Sequence, residues 1–493
     1  MVETYKAFIG GEWVDGAGGG AFPVYNPATD EIFAQVATCT PEDVDKAVKA
    51  AAAAAPAWGM MPMSARAKML LKVSQLIMQN LNEIAALETA EHGAPIRNSA
   101  GFQVPQIADF FEYAASISRS LTGETLPIGP WCTSMTVREP VGVVGLITPW
   151  NVPALMVAWK LAAALVTGNA CIVKPASVTP LTTLRLAALC KEAGIPDGAV
   201  NVITGPGSTV GEALVAHPGV ARIGFTGDTS TGKRIMSLAS GLAKPVGLEL
   251  GGKNAMLVLS DADLEAAVEG AIWGGFFNNG QVCAAASRIL VHESLYDEFL
   301  QRFVEAAKQI RVGDPMNPET VLGPVPFKEH RDKVESYIAS AKAEGAKLVL
   351  GGERPTTPET QKGYYLAPTI FADAQNSMTF MQEEIFGPVV GVATFKDDAE
   401  AVALANDTSY GLSASVWTKD FKRGLGLARQ LQVGTVWLNE HLMIFCEAPW
   451  GGCKASGYGK DLSTMVLEEY TTVKHIYMDM NEGPVKPWYG LMK

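Results

Sequence analysis

The amino-acid sequence predicts an α/β protein of two doubly wound parallel-sheet units with a small β element attached. Three observations carry that expectation. From residue 141, short runs of β-branched residues alternate with apolar helical stretches, and the alternation resumes from 253 to about 445. Segment 121–139, with Trp131 and Met135, has no helical period and reads as extended ribbon. Strands alternating with helices form βαβ units, and a parallel sheet built that way is covered on both faces.

In chain order, Ala7-Phe8-Ile9 and Glu12-Trp13-Val14 flank Gly10-Gly11, a two-residue hairpin signal. Helices are predicted over 41–58 and 64–92. In the second, Leu70, Leu71, Val73, Leu76, Ile77, Leu81 and Ile84 keep one apolar face. The alanine run 50–55 suits a helix, alanine being the best helix former. Strands follow at 141–147, 171–174, 200–203, 222–225 and 246–250, with helices near 153–166, 180–192, 209–216 and 229–240 between them. The second stretch places strands at 255–259, 288–292, 389–394 and 434–438. After Lys474 the chain runs on to Lys486-Pro487-Trp488-Tyr489. Ribbon and tail together suit a subunit interface, although packing on their own domain explains them equally well.

Composition narrows the function. The 493 residues hold 39 basic and 51 acidic side chains, a net charge of −12, so nucleic acid is not an expected partner. A hydrophobic share of 48% against 18% charged residues excludes a mainly disordered chain. Seven cysteines, odd in number and widely spaced, fit free thiols in a reducing compartment, and a cytoplasmic location is expected. Residues 1–11 show no basic stretch followed by an apolar one, so no secretory leader is expected. The most apolar segment, 155–173, is broken by Lys160, Gly168 and Asn169, short of the roughly 20 residues of a membrane helix. No membrane partner is expected. Six scattered histidines offer no helical pairing with carboxylates, and no metal site is expected.

Three short segments carry chemistry. Phe276-Phe277-Asn278-Asn279-Gly280-Gln281-Val282-Cys283 ends an apolar helical run in a polar turn bearing one thiol. A cysteine held at such a turn can act as a nucleophile, although a lone cysteine is more often inert packing. Glu249, in Leu248-Glu249-Leu250-Gly251-Gly252-Lys253, ends a predicted buried strand, where a carboxylate is costly unless paired or functional. Ligands gather at that end of parallel strands. Asn151, after Pro149-Trp150, falls at the same end of another strand, and its NH₂ can serve an oxyanion. Alone, Glu249 reads equally as a salt-bridge partner and Asn151 as a helix cap.

In this order, with Lys174-Pro175-Ala176, Gly224-Phe225-Thr226-Gly227, Glu383-Glu384-Ile385-Phe386-Gly387-Pro388 and the stretch 449–457, these motifs resemble the aldehyde dehydrogenase superfamily along essentially the whole chain. The resemblance is nearest the betaine-aldehyde and aminoaldehyde branch. It implies a cofactor-binding domain of 1–120 and 142–250, a catalytic domain of 251–445, and an oligomerisation element of 121–141 and 466–493. It also implies a homodimer or homotetramer. Cys283 becomes the nucleophile, Asn151 and the Cys283 N–H the oxyanion donors, Glu249 the base that activates water, and Lys160 with Asp461 a proton relay. For the cofactor, NAD or NADP, it implies Lys174 and Glu384 on the riboses and Trp150 and Phe386 along the path between. Gly207, Gly211, Gly227 and Leu250 join that site. Two departures stand out: Ser177 replaces a ribose-gripping glutamate, and Asp228 replaces a serine beside the pyrophosphate. Asp228 is expected to cap the following helix.

The substrate is expected to be a small aldehyde. Trp159, Phe277 and Trp450 could box a cation, but Val152 stands where a tyrosine completes the box. Val152, Met156, Val282, Leu442, Ile444 and Phe445 favour a medium-sized apolar or aromatic aldehyde as first reading. Betaine aldehyde or an aminoaldehyde is the alternative. A CoA-acylating relative is disfavoured by Glu249, and a non-catalytic protein on the same fold by the intact Cys283, Glu249 and Asn151.

Overall fold

Val143–Ile147 is the strand around which the first sheet is wound. In the computed structural model, which describes residues 2–481 and 486–492, all five of its residues are buried. Across the sheet the strands run Gly457–Tyr458, Val246–Glu249, Arg222–Thr226, Val143–Ile147, Ala170–Lys174, Val200–Val202, Ala7–Ile9, Glu12–Val14. The middle five are parallel. The chain moves outward through Ala170–Lys174 and Val200–Val202, then returns to the other side of Val143–Ile147. Such a reversal opens a crevice at the carboxyl ends of the strands. The Pro149–Asn151 loop, the Thr226-Gly227 turn and Glu249 all stand at that end.

The second sheet runs Lys347–Leu350, Thr369–Ala372, Val389–Phe395, Arg288–His292, Ala255–Val258, Ser413–Trp417, Thr435–Leu438, parallel except at Lys347–Leu350. The chain passes from the first sheet to the second between Val246–Glu249 and Ala255–Val258, and back between Thr435–Leu438 and Gly457–Tyr458. A third, antiparallel sheet pairs Thr471–Asp479 with Cys132–Pro140, from Thr471 opposite Pro140 to Asp479 opposite Cys132, with Thr125–Leu126 beyond. Its outer strand exposes Val473, Tyr477 and Met478. Trp488 and Tyr489 are also exposed. Within the expected tail element 466–493, residues 482–485 and 493 lie outside the described residues.

The hairpin over Ala7–Ile9 and Glu12–Val14 forms at Gly10-Gly11. Several expectations need correction. The helix expected over 64–92 is two, Met63–Gln79 and Leu81–His92. Asn80 separates them because its side-chain Nδ2 donates to the Leu76 carbonyl at 2.7 Å, in competition with the backbone ladder. The helix expected over 209–216 begins as a wide π turn, Gly207–Gly211, before Glu212–Ala216. Strands Thr369–Ala372 and Ser413–Trp417 and the helix Val104–Ile117 went unpredicted. Nor does the chain leave the first sheet for good after residue 250: Gly457–Tyr458 returns to pair with Glu249 and Leu248.

Candidate active site

Helix Leu264–Phe276 gives way to a turn, Phe277–Gly280, in which three successive residues have positive φ: Asn278 at 52°, Asn279 at 59° and Gly280 at 65°. Asparagine tolerates this region better than other side chains. At 280 only glycine fits, because a Cβ would fall 2.4 Å from the Gly387 carbonyl oxygen. The turn delivers Cys283, half-buried, to the floor of a cleft of about 400 Å³.

Every carbonyl from 281 to 285 is held. Asn151 Nδ2 donates to Gln281 O (2.8 Å), and the Ala285 N–H donates to Val282 O (2.9 Å). Asn254 Nδ2 donates to Cys283 O (2.8 Å) and Ala285 O (3.0 Å). His441 Nε2 donates to Ala284 O (2.8 Å) and its Nδ1 accepts from Ser415 Oγ (2.9 Å). Burial holds His441 neutral, its pKa lowered to about 4, which suits that donor–acceptor pairing. Asn278 Nδ2 in turn donates to Asn151 O at 2.8 Å, so the Asn151 loop and the cysteine turn brace each other. With the carbonyls turned away, the N–H groups of Cys283 and Ala284 face the thiol.

The thiol is nevertheless hard to ionise. Burial, then the carboxylates of Glu384 and Glu249, push its pKa up to about 12, against the pull of those two N–H groups. Glu249, 5% exposed at the end of its strand, lies well above the usual carboxylate range. Burial is the main cause and Asp461 adds to it, while Lys160 and Lys460 oppose. Its Oε2 has no hydrogen-bond partner among the described residues. Glu249 lines the cleft in front and a smaller polar cavity behind, which it shares with Lys160, Asp461, Lys460, Glu469 and Tyr470. In that rear cavity Lys160 Nζ pairs with Asp461 Oδ2 at 2.6 Å, both buried.

Other residues singled out in the sequence distribute unevenly. Trp150, Asn151, Met156, Gly227, Asp228, Leu250, Glu384 and Phe386 line the cleft. Trp150 packs edge-on against His330 (4.8 Å between ring centroids), Phe386 (5.3 Å) and Phe327 (5.5 Å). Phe386 has a positive φ of 61°, and its carbonyl accepts from His330 Nε2 at 2.7 Å. Glu384 accepts from the Gly252 N–H at 3.0 Å, and burial raises its pKa to about 7. A Cβ at Gly251 would collide with that carboxylate at 2.2 Å. Lys174 is buried at the end of its strand, its pKa lowered to about 8 by burial. Asp228 caps helix Thr229–Ser240, accepting from the N–H groups of Ser230 and Thr231. Gly207 and Gly211, in their π turn, are not among the cleft-lining residues. Ser177 donates to the Gly205 carbonyl (2.8 Å) and lines a neighbouring groove with Tyr25, Asp30 and Phe327. An acceptor carboxylate, a buried ammonium and bare backbone at Gly227 and Gly251 suit a group carrying ribose hydroxyls and phosphates.

Val152, Met156, Trp159, Leu442 and Trp450 are buried in one apolar cluster, with Phe277, Val282, Cys283 and Ile444 packed against it. Trp159 lies 5.4 Å from Phe110 and 6.2 Å from Trp450, ring to ring. Phe445 does not join them: it is 57% exposed, its side chain turned to solvent where Cys446 turns in. Asn254 and His441, which clamp the cysteine turn, were not singled out in the sequence. Nor was Asp109, whose carboxylate accepts from Cys446 Sγ at 3.4 Å beside that cluster.

A doubly wound sheet, a clamped thiol at its switch-point crevice and a buried carboxylate beside it define a class of dehydrogenase. The model of the aldehyde dehydrogenase family matches residues 13–476, and the chain belongs to that family. It is 44% identical over 487 residues to betaine aldehyde dehydrogenase of Bacillus subtilis, covering 98% of this chain and 99% of that protein. It is 41% identical to peroxisomal aminoaldehyde dehydrogenase 2 of Malus domestica, covering 99% and 98%. The solved structure of betaine aldehyde dehydrogenase from Staphylococcus aureus in complex with NAD+ is 40% identical, covers 98% of this chain and 96% of that chain, and superposes with a TM-score of 0.96. The protein is an NAD(P)-dependent aldehyde dehydrogenase. These relatives are named for the alternative substrate reading, betaine aldehyde or an aminoaldehyde, rather than for the first.

The raised proton affinity of Cys283 has a direct consequence. Because the neutral thiol dominates until pH approaches about 12, alkylation of Cys283 by iodoacetamide in the cofactor-free protein should accelerate about tenfold per pH unit from 7 to 10. Peptide mass mapping at each pH checks this. A rate that levels off below pH 8 would mean that the site already stabilises the thiolate.

Proposed function

We propose that the enzyme oxidises a cationic aldehyde, betaine aldehyde or an ω-aminoaldehyde, to its carboxylic acid with Cys283 as nucleophile. The observation that carries the substrate is the packing of Trp159 against Phe110 (5.4 Å) and Trp450 (6.2 Å), close to Cys446, whose thiol donates to the exposed carboxylates of Asp109 and Glu447. Aromatic faces attract a cation, and carboxylates can accept from an ammonium. Val152 in place of a ring widens the site without removing this preference.

The Cys283 thiol releases its proton to water as Sγ forms a bond to the aldehyde carbon and the carbonyl π electrons move to oxygen. The Cys283 backbone N–H and the second N–H of Asn151 hold that oxyanion; the first is committed to Gln281 O at 2.8 Å. When bound, a nicotinamide would accept the hydride that leaves the former aldehyde carbon as its C=O re-forms, which leaves a thioester on Cys283. Glu384, Lys174, Trp150, Phe386, Gly227 and Leu250 would hold the dinucleotide. Glu249, in its carboxylate form, then takes a proton from water as the water attacks the thioester carbon, and the C–S bond breaks with its electron pair on sulfur, which releases Cys283 as the thiolate. A carboxylate whose proton affinity is raised above the ordinary range by burial is the stronger base for that task. Lys160 and Asp461 pass the proton on from the rear cavity.

Ser177 places no carboxylate against a 2′-phosphate, which supports use of NADP beside NAD. In this reading 1–120 and 142–250 bind the cofactor and 251–445 carries the nucleophile. Segments 121–141 and 466–493 join subunits into a dimer or tetramer through the exposed edge Thr471–Asp479. Seven free cysteines suit a reducing, cytoplasmic setting.

Two experiments test this. Glu249→Gln should lower the steady-state rate by roughly 10²–10⁴-fold and let an acyl adduct accumulate on Cys283, visible by intact mass and absent from Cys283→Ala. Normal turnover by the glutamine variant would assign water activation elsewhere. Second, kcat/KM for betaine aldehyde and 3-aminopropanal should each exceed that for benzaldehyde by at least about tenfold, the scale of a 1–2 kcal/mol cation–π preference. Asp109→Asn should narrow the gap for the aminoaldehyde more than for betaine aldehyde. A higher value for benzaldehyde would restore the apolar reading.

A further inference from the structure

A second, separate cavity lies behind the cleft, between the link from Val246–Glu249 to Ala255–Val258 and strand Ser413–Trp417 of the second sheet. Its lining includes Lys253, Asn254, Arg288, Tyr410 and Ser413, and it has room for about one water-sized particle. Lys253 is 2% exposed and its Nζ has no hydrogen-bond partner among the described residues. Ser413, 1% exposed, has an Oγ in the same condition. Two orphaned buried donors therefore border one small space.

The charge around it is one-sided. Arg288, 1% exposed, spends its donors on the carbonyls of Lys253, Leu404 and Ala405 and on Asn376 Oδ1, none of them a carboxylate. No aspartate or glutamate lines the cavity. Glu384, Glu383 and Asp407 act on the two cations from outside it. Burying an ammonium beside a guanidinium with neutral acceptors alone is costly, and a ligand of negative charge relieves it where water only solvates.

We propose that this cavity binds a single monovalent anion of the chloride class, held by Lys253 Nζ and the Ser413 hydroxyl. Its size excludes carboxylates and phosphates. Asn254, on the cavity wall, accepts from the Ser413 N–H (3.1 Å) and clamps Cys283 O, so the anion braces the frame that holds the nucleophile. Lys253 loses its proton near pH 7, through burial first and Arg288 second. The ammonium form, which holds the anion, is complete below that pH and is lost above it, so affinity should fall as pH rises. Tyr410, the one other titratable group on the lining, stays neutral over that range because burial raises its pKa to about 12.

The test uses the full-length enzyme. Crystals grown without halide and soaked in sodium bromide at pH 6 should show an anomalous bromine peak in contact with Lys253 Nζ. In solution, chloride in place of gluconate at equal ionic strength should raise the melting temperature at pH 6, less so at pH 8.5. The chloride increment should shrink in Ser413→Ala and vanish in Lys253→Met. Should Lys253→Met fail to fold, the bromine peak and Ser413→Ala decide alone. Ordered density in the cavity without anomalous signal, or a chloride increment untouched by Ser413→Ala, would overturn the proposal in favour of a structural water.

Discussion

One peptide segment, Glu249 to Asn254, sets the geometry on which the rest depends. It ends the parallel strand Val246–Glu249 of the first sheet and begins Ala255–Val258 of the second. A strand can change sheets in so few residues only if the carboxyl end of one sheet is brought against the other. The crevice opened by the first sheet's reversal at Val143–Ile147 is thereby closed on its far side by the second sheet. Glu249 then faces Cys283 from the opposite unit, Gly251 leaves space for Glu384, and Asn254 reaches the carbonyls of the cysteine turn.

The same junction explains the electrostatics. Cys283, Glu249 and Glu384 are brought together out of water, and each raises the proton affinity of its neighbours or feels burial do so. An unpaired buried charge costs several kcal/mol, while one neutral hydrogen bond returns only about 0.5–1.5 kcal/mol. Burial therefore raises the proton affinity of all three groups together. The cationic side chains stand behind the reacting groups, with Lys160 paired to Asp461 in the rear cavity. A carboxylate of raised proton affinity is a stronger base, which suits a reaction that sheds a proton when water attacks.

Much of this was legible in the sequence, for identifiable reasons. Val143–Ile147 and Ala170–Lys174 are buried on both faces, so they read as unbroken apolar runs. Ser413–Trp417 is equally buried, but Ser413, Ala414 and Ser415 carry little apolar signal, and the strand was missed. Cys283, Glu249 and Asn151 were visible because their motifs are local. Asn254 and His441 were not, because their contacts span 29 and 157 residues and leave no spacing to read. Phe445 and Cys446 show the converse: neighbours in a loop of no regular period, of which only the structure tells which turns inward. Asp109 was hidden for the same reason: it lies on a helix 337 residues from the Cys446 it contacts.

The central claim is that the sheet junction, by burying Glu249, raises its proton affinity well above that of an ordinary carboxylate. Infrared difference spectroscopy between the wild type and Glu249→Gln across a pH series tests it most directly. The account predicts a protonated-carboxyl C=O stretch that is missing from the variant and that fades in the wild type only as pH is raised above the ordinary carboxylate range. A stretch that fades within that range would contradict it.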